Sequence, residues 1–143
     1  LYEYCSNELG RAIGAGQHVL IVSGGYGLLL AGEPIGTYER RFALSDWPFG
    51  LIEECIIDYA RHEGIRSVIA VMSNTTDYAK IIRRVKFRNY GFEAKLVSPV
   101  SVGGGAMVKV PRAQGQAIAS LITAGLHPTW RSSDSLDLEI RNL

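Results

Sequence analysis

Residues 18–27 read His18-Val19-Leu20-Ile21-Val22-Ser23-Gly24-Gly25-Tyr26-Gly27, and the fold turns on them. The run from His18 to Ser23 is continuously apolar at its centre, as in a strand covered on both faces. Glycines follow at once, as in a loop leaving the carboxyl end of a strand. Ser67–Met72 (SVIAVM) repeats the pattern, and Glu93–Val97 (EAKLV) reads as a third strand. Helical periods separate the three. Strands alternating with helices predict right-handed crossovers, and so an α/β fold: a largely parallel sheet flanked by helices in three layers. At 143 residues the chain is one domain, 1–143.

The helices are read from their apolar spacing. Leu1, Cys5, Leu9 and Ile13 recur every four residues and predict a helix to Ala15, stopped by Gly14 and Gly16. Leu1 falls inside that pattern, so upstream residues are expected. Pro48 suits a first helical turn capped by Ser45 or Asp46, with Leu51, Ile52, Cys55, Ile56 and Tyr59 inward and Gly64 at the end. Asn74 is placed to cap a third helix, with Asp77 in its first turn. Tyr78, Ile81, Ile82 and Val85 face the core there, leaving Lys80, Arg83, Arg84 and Lys86 towards water. Pro111 is placed to open a fourth helix, with Ala117, Ile118, Leu121 and Ile122 inward and Gly125 ending it. Asp134–Leu143 carries no decisive period.

Composition removes several classes. The chain is 47% hydrophobic and 20% charged, a globular balance. No apolar run approaches the roughly 20 residues that span a bilayer, and no secretory leader pattern is visible, so no membrane partner and a cytoplasmic location are expected. Cys5 and Cys55 lie among apolar neighbours and read as buried free thiols of a reducing compartment. His18, His62 and His127 have no metal-ligand spacing, so no metal site is expected. Net charge is +1, but unevenly placed: residues 1–79 carry five Lys/Arg against ten Asp/Glu, and residues 80–131 carry nine Lys/Arg against Glu93 alone. That asymmetry points to an anionic partner or, as plainly, to a solvated helix face with scattered loop lysines.

Four constellations are able to carry chemistry, each with a structural alternative. Ser23-Gly24-Gly25-Tyr26-Gly27 offers backbone amides to an anion, or is a tight turn. Glu33 to Tyr38 (EPIGTY) supplies a carboxylate and a phenol beside it, or a Pro-Gly turn with a packed Tyr. Ser73 and Asn74 sit in a strand-to-helix turn suited to phosphate, although Asp77 there argues for ordinary capping. Gly103-Gly104-Gly105 with Lys109 and Arg112 suits a flap closing on an anion, or a flexible connector.

Taken in order, these segments resemble the peroxide-stress protein family known as YaaA. The family's S-G-L-Y-G-x-L motif is similar to Ser23-Gly24-Gly25-Tyr26-Gly27-Leu28-Leu29, and its following acid and I-x-x-Y to Glu33 and Ile35-Gly36-Thr37-Tyr38. Met72-Ser73-Asn74-Thr75-Thr76-Asp77-Tyr78 is similar to its A-S-x-E-Y segment, and Arg112-Ala113-Gln114-Gly115 to its K-x-A-R-G. The family's N-terminal strand and its S-P-A-K-T signature have no counterpart here. Glu39 stands where the family has an Arg after its tyrosine, and Gln114 where it has the Arg of A-R-G. The resemblance implies a divergent domain lacking the N-terminal strand. It also implies a cytoplasmic protein that binds DNA through a basic cleft, limits peroxide and iron damage, and needs no established cofactor.

Two readings of function follow. In the first, Lys80, Arg83, Arg84, Lys86, Arg88, Lys109 and Arg112 bind DNA phosphates. In the second, an enzyme takes a nucleotide, nucleoside or nucleobase between Ser23, Gly24, Gly25, Tyr26, Gly27, Tyr38, Ser73 and Asn74, with a desolvated Glu33 as general acid or base. One open groove formed by the cations favours the first. Convergence of Glu33, Tyr38 and Ser73 favours the second.

Overall fold

The computed structural model describes residues 1–37, 40–100, 106–127 and 129–143. A 3₁₀ turn (Tyr2–Tyr4) leads into α1 (Ser6–Gly14), followed by β1 (Leu20–Ser23) and β2 (Gly27–Leu30). After a second 3₁₀ turn (Leu44–Asp46) come α2 (Leu51–His62), β3 (Ser67–Val71) and α3 (Asp77–Arg84). A third 3₁₀ turn (Phe87–Tyr90) precedes β4 (Glu93–Pro99), α4 (Ala106–Thr123) and β5 (Leu138–Asn142).

The expected largely parallel, three-layer sheet is not what forms. The strands make two small sheets, a β1–β2 pair and the order β3-β4-β5. Only β3 and β4 run parallel, from Ser67 beside Glu93 to Val71 beside Val97. β5 joins antiparallel, with Ser98 opposite Glu139, and β1 pairs with β2 as an antiparallel hairpin. The cause lies in the quoted stretch. Ser23 Oγ accepts the N–H of both Gly25 (3.3 Å) and Tyr26 (3.2 Å), which folds the glycines into a hairpin turn. The chain then returns along itself through Leu28–Leu30 instead of crossing over to a parallel neighbour. Leu20, Ile21 and Val22 are half-buried, as a two-stranded ribbon requires.

The core gathers around the parallel pair. Val68, Ala70, Ala94 and Leu96 meet Ile52, Ile56 and Ala60 of α2 and Ala79, Ile81 and Ile82 of α3. Each buried isoleucine contributes on the order of 2 kcal/mol of apolar transfer. In α2 the inward residues are Ile52, Ile56, Ile57 and Ala60, so the buried stripe is rotated away from Cys55, which is exposed. Cys5 alone of the two thiols is buried. α3 starts after Thr76, not at Asn74, and α2 starts after Gly50, not at Ser45 or Asp46. α4 packs against α1 and against β3 and β4. It begins at Ala106, with Pro111 inside it, because Ala106–Val110 already forms a helical turn and proline there forfeits only one intrahelical bond. No helix among the described residues is long and apolar enough to cross a membrane.

Candidate nucleic-acid interface

The glycine loop is packed rather than open. A β-carbon on Gly24 would overlap the carbonyl oxygen of Arg40 and come within 2.7 Å of the Arg41 carbonyl carbon and the Phe42 nitrogen. The loop is therefore pinned by the segment that follows it. The amides of Gly25 and Tyr26 are engaged by Ser23 Oγ, and Tyr26 Oη accepts the N–H of Gly36 at 3.2 Å. Gly27 backs onto the Trp47 ring. A small depression of about 70 Å³ lies beyond Trp47, lined by Leu44, Phe49, Glu53, Ile81 and Arg84, and none of the glycine loop borders it. The expected ligand pocket at Gly24–Gly27 is replaced by a hairpin turn.

Glu33 was expected to be desolvated, and it is exposed. Its Oε2 accepts the N–H of Leu30 at 3.0 Å, closing the turn after β2. A carboxylate in water that holds its own turn lacks the environment that general acid/base work requires. Tyr38, and Gly103-Gly104-Gly105 of the expected flap, lie outside the described residues.

Ser73 and Asn74 do fall at the carboxyl end of β3, where ligands bind in parallel sheets. Thr76 donates to the Ser73 carbonyl through its hydroxyl (2.8 Å), Asn74 Nδ2 donates to Glu139 (3.0 Å), and Arg83 donates to the Asn74 carbonyl (2.9 Å). Asn74 Oδ1 and the hydroxyl of buried Ser98 have no hydrogen-bond partner. Asp77 binds Lys80 at 2.8 Å and accepts the Leu44 N–H at 3.2 Å, which together hold its carboxyl below the usual range. Thr76 at the N-cap makes no side-chain capping bond, and the Asp77 carboxylate in the first turn opposes a second anion there.

The cations divide into two groups. Lys80, Arg83 and Arg84 occupy positions i, i+3 and i+4 of α3 and share one exposed face. That is three cations within about 6 Å of helix axis. Lys86 and Arg88 continue the exposed strip, with Arg88 Nε donating to the Leu143 carbonyl at 3.0 Å. Arg84 is 4.0 Å from Glu53, and its guanidinium lies 5.2 Å from the ring centre of Phe49, which is 87% exposed. Phe49, an exposed aromatic just ahead of α2, carries no signal in the sequence pattern.

Arg112 belongs to the other group. Its Nε donates to the Tyr4 hydroxyl at 3.3 Å, and one terminal nitrogen reaches both Asp134 oxygens at 3.2 and 3.3 Å. These contacts, the Tyr4 hydrogen bond first, raise its already high pKa. It is a tie between α4, the N-terminal turn and the loop before β5, and its guanidinium is committed to Tyr4 and Asp134. Lys109 is exposed on α4. Among the described residues no group of His, Cys, Asp and Glu is arranged to hold a metal ion. No family model, no curated protein and no solved structure matches the chain.

Proposed function

We propose that the protein binds nucleic acid, DNA in the first instance, through the exposed strip of α3 and the turn after it. The observation that carries this reading is the shared face of Lys80, Arg83 and Arg84, continued by Lys86 and Arg88. Arg83 is held by a neutral carbonyl rather than a carboxylate, so its charge is uncompensated and remains able to neutralise a phosphate. Phe49 under Arg84 adds an exposed ring of the kind on which bases stack. Binding driven by such a strip gains free energy from released counterions and weakens as salt rises. The resemblance to the YaaA family supports the same partner and suggests protection of DNA against peroxide as its setting.

The test is a salt titration of duplex DNA binding with the intact chain and with Arg83→Ala/Arg84→Ala. The double variant is expected to bind more weakly, with the slope of log affinity against log salt reduced by about 0.9 per lost phosphate contact. An unchanged slope and affinity would remove this reading.

A further inference from the structure

A second concavity, of about 270 Å³, lies where α2 ends and β3 and β4 begin, lined by Arg61, Gly64, Ile65, Arg66, Tyr90 and Phe92. It is larger than the depression beside Trp47 and just under the size at which small-molecule sites begin, about 300 Å³. Gly64 and Gly91 bring no side chain to it, so its mouth stays open.

Two arginines line it, and neither is spent on a carboxylate among the described residues. Arg11, Arg40, Arg84, Arg112, Arg131 and Arg141 each reach a carboxylate. Arg61 and Arg66 reach none among the described residues. The Arg61 guanidinium carbon instead lies 5.9 Å from the ring centre of Tyr90, which is 51% exposed. Glu63, next in sequence to Gly64, is turned to His62 at 2.9 Å. Arg61 sits in the last turn of α2, where a cation suits the helix end. Arg66 lies beyond that turn, and its charge is left over.

A guanidinium beside an exposed phenol ring makes a flat, cationic platform for a planar group. A second arginine with unoccupied donors offers a planar fork to an oxyanion. We propose that this groove binds a mononucleotide unit, with its base against Tyr90 and Arg61 and its phosphate on Arg66. The site adjoins the strip through the Phe87–Tyr90 turn but uses other side chains, and it goes beyond the phosphate-backbone reading.

The experiment is calorimetric titration of the intact chain with adenosine monophosphate, adenosine and inorganic phosphate. The monophosphate is expected to bind at least tenfold more tightly than either part. Tyr90→Ala and Arg66→Ala should each weaken it about tenfold, since stacking one base or losing one charged hydrogen bond is of that order. Tyr90→Phe should restore it. Both side chains are exposed, and unchanged far-ultraviolet circular dichroism confirms that the variants fold. Arg83→Ala/Arg84→Ala should leave the monophosphate unaffected, which separates this site from the α3 strip. Competition by a short single-stranded oligonucleotide, lost in Tyr90→Ala, identifies the bound unit as part of a strand. Absence of competition identifies it as a free nucleotide. Monophosphate bound no more tightly than phosphate alone, or bound equally by Tyr90→Ala and Arg66→Ala, would overturn the proposal.

Discussion

One terminal nitrogen of Arg112 spans both carboxylate oxygens of Asp134, at 3.2 and 3.3 Å, across a separation of 22 residues. The same guanidinium donates to Tyr4 and lies 5.5 Å from that ring's centre. Three distant parts of the chain thus share one cation. Arg112→Ala is expected to lower the urea midpoint, because it leaves Asp134 without its partner and removes the packing of the arginine stem on Tyr4. It should leave the salt slope of DNA binding intact, in contrast to Arg83→Ala/Arg84→Ala. A reduced slope in Arg112→Ala with unchanged stability would return Arg112 to the binding surface.

Gly24 faces backbone, not flexible side chains. A methyl group there meets the Arg40 carbonyl and the Phe42 nitrogen, neither of which is able to rotate away. Gly24→Ala is expected to cost about 1–3 kcal/mol, the usual range for overpacking a tight contact. Equilibrium urea unfolding measures it. Because the loop is a hairpin turn, Gly24→Ala should weaken nucleic-acid binding only as far as it unfolds the protein. A stable Gly24→Ala protein that had lost binding would mark the loop as a ligand site after all.

The sequence was most legible where a period was long enough to name its partner. Ile81 and Ile82 with Tyr78 mark the inward side of α3, and the same spacing fixes Lys80, Arg83 and Arg84 outward. β3 and β4 were likewise legible from SVIAVM and EAKLV. The β1 run misleads because a short apolar stretch does not distinguish a parallel from an antiparallel partner. What decides is the turn, and Ser23 Oγ takes the two amides that an anion would have needed. β5 is not legible because Leu138–Asn142 is half polar and finds its register only against β4. The Arg61–Tyr90 pair had no signal at all, since 29 residues separate two side chains that only the tertiary fold brings together.

The two thiols should behave differently. Cys55 is exposed on α2, whereas Cys5 is 1% exposed and burial pushes its thiol pKa up. A thiol-specific chromogenic reagent is expected to modify Cys55 in the native protein and Cys5 only on unfolding, since the thiolate is the reactive form. Protection of Cys5 therefore reports the packing of the N-terminal turn, and Arg112→Ala should increase its exchange into reactive states. Simultaneous labelling of both thiols under native conditions would contradict the packing described.

Asp77 makes the protein's acid response testable. Its carboxyl is held below the ordinary value by the Lys80 hydrogen bond first and the Leu44 N–H second. A group with a depressed folded pKa stabilises the fold above its unfolded pKa, near 3.9 for Asp, and that contribution is lost as pH falls through the folded value. Stability is therefore expected to decline from about pH 5 downward, with part of the decline belonging to Asp77. Asp77→Asn keeps the shape and retains an acceptor for Leu44, but carries no charge for Lys80. Its acid limb should be shallower than that of the natural sequence, and the two curves should converge at low pH, where Asp77 is protonated. Freed from its carboxylate, Lys80 should also bind phosphate better, so Asp77→Asn should strengthen DNA binding modestly and steepen its salt dependence. Parallel acid limbs, with the same separation at every pH, would show that Asp77 does not titrate with folding and that the Lys80 contact is not formed in solution.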